Sequence, residues 1–313
     1  MKPAVKYPFV VLIAGKSGVG KTTFTHSFLE CIEDRFRTEV PELANAPDIV
    51  ARLPLALPLK LMTALALAHG NQSDETYTLA RFQQALHDYP VLGNSESYIL
   101  QELDNNKQLP LPECFSNPSY IHQFMRNIAM MGLYLYQNFP LFNTNETICN
   151  ILRDSKFFTL YCAPRIASCT THRELLQYIG TDVFRKHIHE NIWCDVNRVL
   201  TNSIIRSGYK VIVVDDVRFS NEILLLMKAR RVLTISMERT DYVSLTGNHA
   251  SEKLDFDFPF DVYITSKGNS ADQLKQLAGY IASGIDTSVP GNEVPIVLPT
   301  KTNQFSVVPE EHK

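Results

Sequence analysis

Gly15-Lys16-Ser17-Gly18-Val19-Gly20-Lys21-Thr22, near the start of the 313-residue chain, fits the phosphate-binding pattern G-x-x-x-x-G-K-[ST] at every fixed position. Its flanks decide the fold. Pro8-Phe9-Val10-Val11-Leu12-Ile13-Ala14 is a short apolar run rich in branched residues, as expected of a buried parallel strand. After Lys21, the residues Phe24, Phe28, Leu29 and Ile32 recur at helical spacing. Strand, glycine loop and helix in this order predict an α/β fold of the P-loop NTPase type, a parallel sheet wrapped by helices.

Glycines let the backbone fold back so that successive N–H groups face an anion, and the helix N-terminus adds positive potential there. Gly15, Ser17, Gly18, Val19, Gly20, Lys21, Thr22 and Thr23 are therefore expected to hold a nucleoside triphosphate. Lys21 suits the β- and γ-phosphates, and the Thr22 hydroxyl suits Mg²⁺.

With 45% hydrophobic and 20% charged residues the composition is that of a globular protein. A net charge of −3 spreads no basic field, which argues against a nucleic acid polymer as the main partner. The six cysteines form no C-x-x-C pair and read as reduced thiols of an intracellular, cytoplasmic chain. No stretch reaches the roughly 18 apolar residues of a membrane span, so no membrane association is expected.

Further along, Leu57 to His69 reads as a helix with Pro58 in its first turn, Gly70 at its end, and Leu57, Leu61, Leu65 and Ala68 on one apolar stripe. Lys60 lies off that stripe in the first turn, where a cation is disfavoured by about 0.3–1 kcal/mol; it is either a solvated lysine or one kept for a phosphate. Residues 71 to about 165 read as a helical insertion. One helix starts at Ser73-Asp74-Glu75, and another, after Asn117-Pro118, carries Ile121, Phe124, Ile128, Met131 and Leu135 on its core face. Thr171 and Glu174 form a capping box, and Gly180 is expected to stop that short helix. Thr181 or Asp182 then caps a longer helix running to about Arg206. This would bring Arg173, Gln177, Thr181 and Arg185 together, either as a phosphate-binding face or as a solvated helical hairpin.

Val211 to Val214 predicts a second buried strand, ending in Asp215 and Asp216. One of these acids is expected near Mg²⁺, because P-loop NTPases place an aspartate at the end of a neighbouring strand. Arg218 lies at the same sheet edge, and Glu222 begins a helix over Ile223–Arg230. Strands at 231–237 and 261–265 follow, then a helix capped by Ser270 and Gln273 and stopped by Gly284. His249, in a polar loop, reads as a hydrogen-bonded loop residue. The proline-bearing tail, 286–313, is expected to be disordered or loosely attached.

Several separated blocks in order resemble the deoxynucleoside monophosphate kinases of tailed bacteriophages and some large DNA viruses. They are 15–22, Pro58-Leu59-Lys60, Arg173 to Gln177 with Gly180-Thr181-Asp182, Trp193, Asp216-Val217-Arg218 with Asn221-Glu222, His249-Ala250-Ser251-Glu252, and the closing strand with Gly268. The resemblance covers 8–70 and 170–283. It implies a kinase core within 1–285, with acceptor and lid helices at about 166–207, acting in the cytoplasm (that of the host, if viral). The implied reaction transfers the ATP γ-phosphate to a deoxynucleoside 5′-monophosphate with Mg²⁺. It also implies an acceptor site of Lys60, Arg173, Gln177, Gly180, Thr181, Trp193 and Glu222, and a catalytic set of Lys21, Arg173, Asp216 and Arg218, with Thr22 and Asp216 toward the metal. Many members carry Asp where this chain has Thr22. Related enzymes are often dimeric, and the sequence leaves a homodimer open. Two other readings stay open: a kinase for another small acceptor, and a non-catalytic nucleotide-binding protein. No N-K-x-D guanine-reading element is present.

Overall fold

The computed structural model describes residues 8–70, 75–91, 100–101, 103, 109–139, 145–154, 156–227, 231–240, 258–266, 271–285 and 306–309. The features expected at His249–Glu252, Gly268 and Ser270, and the tail apart from 306–309, lie outside the described residues. The chain runs through β1 (Phe9–Gly15), α1 (Lys21–Glu39), β2 (Val50–Arg52), α2 (Leu57–Ala68), α3 (Glu75–Asp88), α4 (Pro118–Asn138) and α5 (Glu146–Arg153). A π-helical stretch (Phe157–Cys162) leads into α6 (Ala163–Ala167), and a second one (Tyr178–Ile188) continues α7 (His172–Gln177). Then come α8 (Ile192–Arg206), β3 (Val211–Val217), α9 (Ser220–Met227), β4 (Val232–Arg239), β5 (Val262–Ser266), α10 (Ala271–Gly284) and β6 (Ser306–Pro309).

Two compact units emerge: Met1–Leu55 with Thr201–Lys313, and Ala56–Leu200 between them. The helical unit takes in the stretch expected as an insertion at about 71–165, together with α2 and most of the expected acceptor and lid helices at about 166–207. The first unit is α/β. Its six-stranded sheet has the order β2-β3-β1-β4-β5-β6. The first five strands are parallel, and β6 runs antiparallel to β5.

β1 lies between β3 and β4, with Val11 paired to Val213 on one side and Leu233 on the other. All seven of its residues are buried, which explains its unbroken apolar sequence. One face of the sheet, carrying Phe9, Val11, Ile13, Val213, Ile235 and Ile264, packs with Phe24, Phe28, Ile32 and Phe36 of α1 and Leu274, Leu277 and Ile281 of α10. Each such side chain contributes about 1.5–3 kcal/mol by leaving water. Leu29, expected on the α1 face, is only partly buried at its margin. Arg35 of α1 donates to the carbonyls of Ala282 (2.6 Å) and Ile285 (2.8 Å), so a cation satisfies the C-terminal end of α10.

Two strands were not foreseen. β2 is only three residues long, and β6 falls in the stretch expected to lack regular structure. The tail expectation is therefore corrected at Ser306–Pro309, whose backbone pairs with Val262–Thr265 along the edge of β5.

In the helical unit, Asn117 caps α4 by accepting the Ser119 N–H at 2.9 Å, and Ile121, Phe124, Ile128, Met131 and Leu135 are all buried as expected. The stripe read for α2 is corrected: nine of its residues, Leu57 to Ala66 apart from Lys60, are buried, while Ala68 is exposed. α2 is a core helix buried nearly all round, so no single stripe describes it. Gly180 does not stop α7, and no helix begins at Thr181 or Asp182. The backbone continues from α7 through Gly180 as wide π-turns to Ile188, and a separate α8 starts at Ile192.

Candidate functional site

In the α/β unit, the loop after β1 curls through Gly18 (φ +83°) and Gly20 (φ +93°), the latter standing at the N-cap of α1. No side chain caps this helix end and its first turn carries no acid. Its first N–H groups and its dipole thus form a ready anion site. Lys21 is the first residue of α1, yet only 8% exposed. Its Nζ donates to the carbonyls of Gly15 (2.6 Å) and Lys16 (2.7 Å), so the ammonium is folded into the loop that precedes it. Lys16, Gly18, Thr22 and Thr23 are exposed, Ser17 is half-buried, and Val19 is buried as the hydrophobic anchor of the loop.

β3 ends beside this loop. Leu12 pairs with Val214 and Ala14 with Val217, so Asp215 and Asp216 together face the single residue Ile13. Such a bulge breaks the alternation of side chains and re-aims them. Asp215 is buried (2% exposed), and its Oδ2 accepts the Nε–H of Arg52 at 2.9 Å. Asp216 is half-buried and accepts the Leu55 N–H on Oδ1 at 2.7 Å. Arg52 is a residue that sequence reading missed. A three-residue strand leaves no periodic signal, and its partner lies 163 positions away.

Arg218 follows at the same edge, half-buried. Glu222, 4% exposed, accepts the N–H groups of Arg218 (2.7 Å) and Phe219 (3.1 Å) on Oε2. This is the reach-back half of a capping box at the start of α9. It gives Glu222 a local task, holding the backbone that carries Arg218, in the α/β unit rather than among the other expected acceptor residues.

Those others belong to the helical unit. Lys60 is half-buried in the first turn of α2, a helix end without side-chain cap or acid. The neighbouring Leu59 packs on Gly180, where an added Cβ would stand 2.5 Å from Leu59 Cδ2. Gly180 thus stands at a close contact with Leu59, within the π-helical stretch rather than at a turn. Its carbonyl accepts the indole N–H of Trp193 at 3.0 Å. Trp193 is 5% exposed and its ring lies 5.3 Å from that of Phe184. Arg173, Gln177, Thr181 and Arg185 are all half-buried, the first two on α7 and the others on the π-helical stretch that continues it. Asp182 pairs with Lys186 one turn on.

Thr171 caps α7 as expected, accepting the Glu174 N–H at 3.2 Å. The Glu174 carboxylate reaches one residue further back, to the N–H (2.7 Å) and hydroxyl (2.9 Å) of Thr170. Those bonds hold its carboxyl below the usual range. Between the π-helical stretch and α8, the Asn191 N–H donates to Nδ1 of His189 at 3.2 Å, and Asp195 Oδ2 lies 3.8 Å from the same nitrogen. Burial pushes the Asp195 carboxyl up to about 6 and the His189 imidazole down.

The donor set at the β1–β3 edge suits Mg²⁺ carried on a phosphate: one exposed hydroxyl, Thr22, and one half-buried carboxylate, Asp216, leave room for water and phosphate ligands. Among the described residues no group of three or more His, Cys, Asp or Glu side chains forms a metal-ligand set. Nor is any helix there long and apolar enough to cross a membrane. In comparisons with known proteins, no family model and no curated protein matches the sequence.

Proposed function

We propose that this chain is a P-loop kinase that transfers the γ-phosphate of ATP to a deoxynucleoside 5′-monophosphate in the cytoplasm. The observation that carries the reading is Lys21. Its ammonium sits inside a glycine loop, at an uncapped helix N-terminus, beside a strand that ends in Asp216.

On the donor side, the loop N–H groups from Ser17 to Thr23 and the dipole of α1 bind the phosphate chain. Lys21 exchanges its two carbonyl partners for the β- and γ-oxygens. Thr22 and Asp216 would hold Mg²⁺, which would supply charge neutralisation at the phosphates. On the acceptor side, Lys60 and Arg173 take the monophosphate, with Gln177, Gly180 and Thr181 lining its site. The resemblance puts Trp193 in that lining. Its burial and its bond to Gly180 favour a share in building the site over stacking on a base. Arg185 and Arg218 supply further guanidinium forks matched to phosphate. The acceptor is already an oxyanion, so no strong general base is required; in-line positioning and charge neutralisation supply the catalysis.

The test is ADP release with ATP, Mg²⁺ and each of the four deoxynucleoside monophosphates in turn. Turnover with at least one of them, faster than with ATP alone, is expected. ATP binding without any such turnover would leave a kinase for another small acceptor or a non-catalytic binding protein.

A further inference from the structure

We propose that the helical unit holds a second ligand site, a cavity that takes a small organic carboxylate with an apolar body, with Arg126 as its anchor. The inference does not depend on the kinase reading. The cavity measures about 420 Å³, within the range of about 300–1,000 Å³ in which small-molecule sites fall. Four elements of one compact unit wall it: α3, α4, α5 and the π-helical stretch Phe157–Cys162. Met130 and Leu133 of α4, Leu152 of α5 and Phe158 of the π-helical stretch give it an apolar lining. Leu152 and Phe158 are buried and the other two half-buried, so an apolar guest exchanges water for hydrocarbon contact on several sides.

Three charged side chains share the lining, and they are not equivalent. Arg153, at the end of α5, has its charge answered: Nη1 donates to Glu146 Oε1 at 2.6 Å and to Asn150 Oδ1 at 3.3 Å. Glu75, at the start of α3, accepts a long bond of 3.5 Å from Gln123 Nε2 of α4. Gln123 and Arg126 stand three residues apart on α4 and are neighbours on its surface, which brings Glu75 to the same side of the helix as Arg126. Arg126 is exposed, and among the described residues it makes no hydrogen bond or ion pair. Its planar fork therefore stands ready at the edge of an apolar cavity, and such a fork fits a carboxylate through two parallel bonds. Glu75 sets a limit on the charge of the guest. It repels anions, so one negative charge held at Arg126 is tolerated better than the roughly two of a phosphate ester.

The experiment is equilibrium dialysis of the full chain against 2-naphthoate, its neutral isostere 2-naphthamide, and 2-naphthyl phosphate. 2-Naphthoate is expected to bind with a Kd of about 1 mM or tighter, the scale set by its size. The amide should bind at least about 10-fold more weakly, for want of charge-assisted bonds, and the phosphate more weakly than the carboxylate. Arg126→Gln, at an exposed position where the fold is not at risk, should weaken 2-naphthoate about 10-fold or more and leave the amide within about twofold. Arg153→Gln should cost about threefold or less. Met130→Glu, which adds a like charge to the wall, should weaken the acid more than the amide. Saturating ATP with Mg²⁺ should leave 2-naphthoate binding unchanged. Absence of saturable 2-naphthoate binding, equal binding of acid and amide to the wild-type chain, an acid affinity unmoved in Arg126→Gln, or displacement of the acid by ATP overturns the inference. Tighter binding of 2-naphthyl phosphate overturns the carboxylate as the head group.

Discussion

Replacing Trp193 by Phe tests what holds the π-helical stretch in place. The indole N–H donates to the carbonyl of Gly180, a buried residue in the middle of the acceptor-side candidates. Phenylalanine keeps an aromatic face for Phe184 but removes the donor, and a buried carbonyl deprived of its partner costs about 1–3 kcal/mol. The smaller ring leaves about 40 Å³ unfilled, which at about 24 cal/mol per Å³ adds roughly 1 kcal/mol. The expected loss is therefore about 2–4 kcal/mol. Two compact units need not unfold together, so a single global midpoint is a poor readout. Hydrogen exchange of the amides from Tyr178 to Ile188, alongside urea unfolding followed by circular dichroism, isolates the effect. Faster exchange there, with β1 and β4 amides unchanged, is the expected pattern. A loss below about 0.5 kcal/mol with exchange unaltered would refute the argument, showing that the indole–carbonyl bond contributes no more than an ordinary surface contact.

Three other outcomes can be checked independently. Lys21→Met should cut phosphate transfer by about a thousandfold or more, as loss of a central charge stabiliser does, without lowering the melting transition of the α/β unit; transfer persisting near the wild-type rate would remove Lys21 from the mechanism. Gly132→Ala should destabilise by about 1–2 kcal/mol in urea unfolding although alanine is the better helix former, because overpacking outweighs propensity here; its Cβ would stand 2.5 Å from the ring of the fully buried Phe184. Asp195, with its carboxyl raised to about 6 in the folded chain, binds more protons there than when unfolded, so stability falls as pH rises from about 4 to about 6. Asp195→Asn should flatten that part of the pH–stability profile and be the more stable form at pH 7; an unchanged slope would mean that burial is not what raises the group.

The local parts of the fold were legible and the long-range parts were not. β1, its glycine loop and α1 announce themselves because an apolar run, a fixed glycine spacing and a helical period lie within thirty or so residues of one another. The Asn117 cap of α4 and the Thr171 cap of α7 were readable for the same reason, since a capping bond spans only two or three residues. Gly180 misled because a glycine after an apolar period ordinarily ends a helix. Here Leu59, far away in sequence, packs where a Cβ would stand, and the Trp193 indole bonds the Gly180 carbonyl while the backbone keeps winding. β2 and β6 are too short to carry a period, and each exists through the strand beside it. At the candidate site the residues of the loop, Asp216 and Arg218 could be named from pattern. The pairing of Asp215 with Arg52 could not, because its partners lie 163 positions apart and Asp215 sits at a register shift. Glu222 stands third in α9, where a carboxylate reaching back to the preceding N–H groups is a capping signal present in the sequence.

The bonds from Lys21 to the carbonyls of Gly15 and Lys16 make the loop its own competitor. Whatever enters must outbid two short hydrogen bonds before it gains the ammonium. A hydroxyl or a neutral carbonyl offers the cation nothing better than it already holds. A phosphate oxygen brings full negative charge, and charge-assisted bonds are roughly twice as strong as neutral ones. On the function proposed above, this contact would act as a threshold on ligand charge, favouring phosphates over nucleosides and sugars before shape is ever consulted.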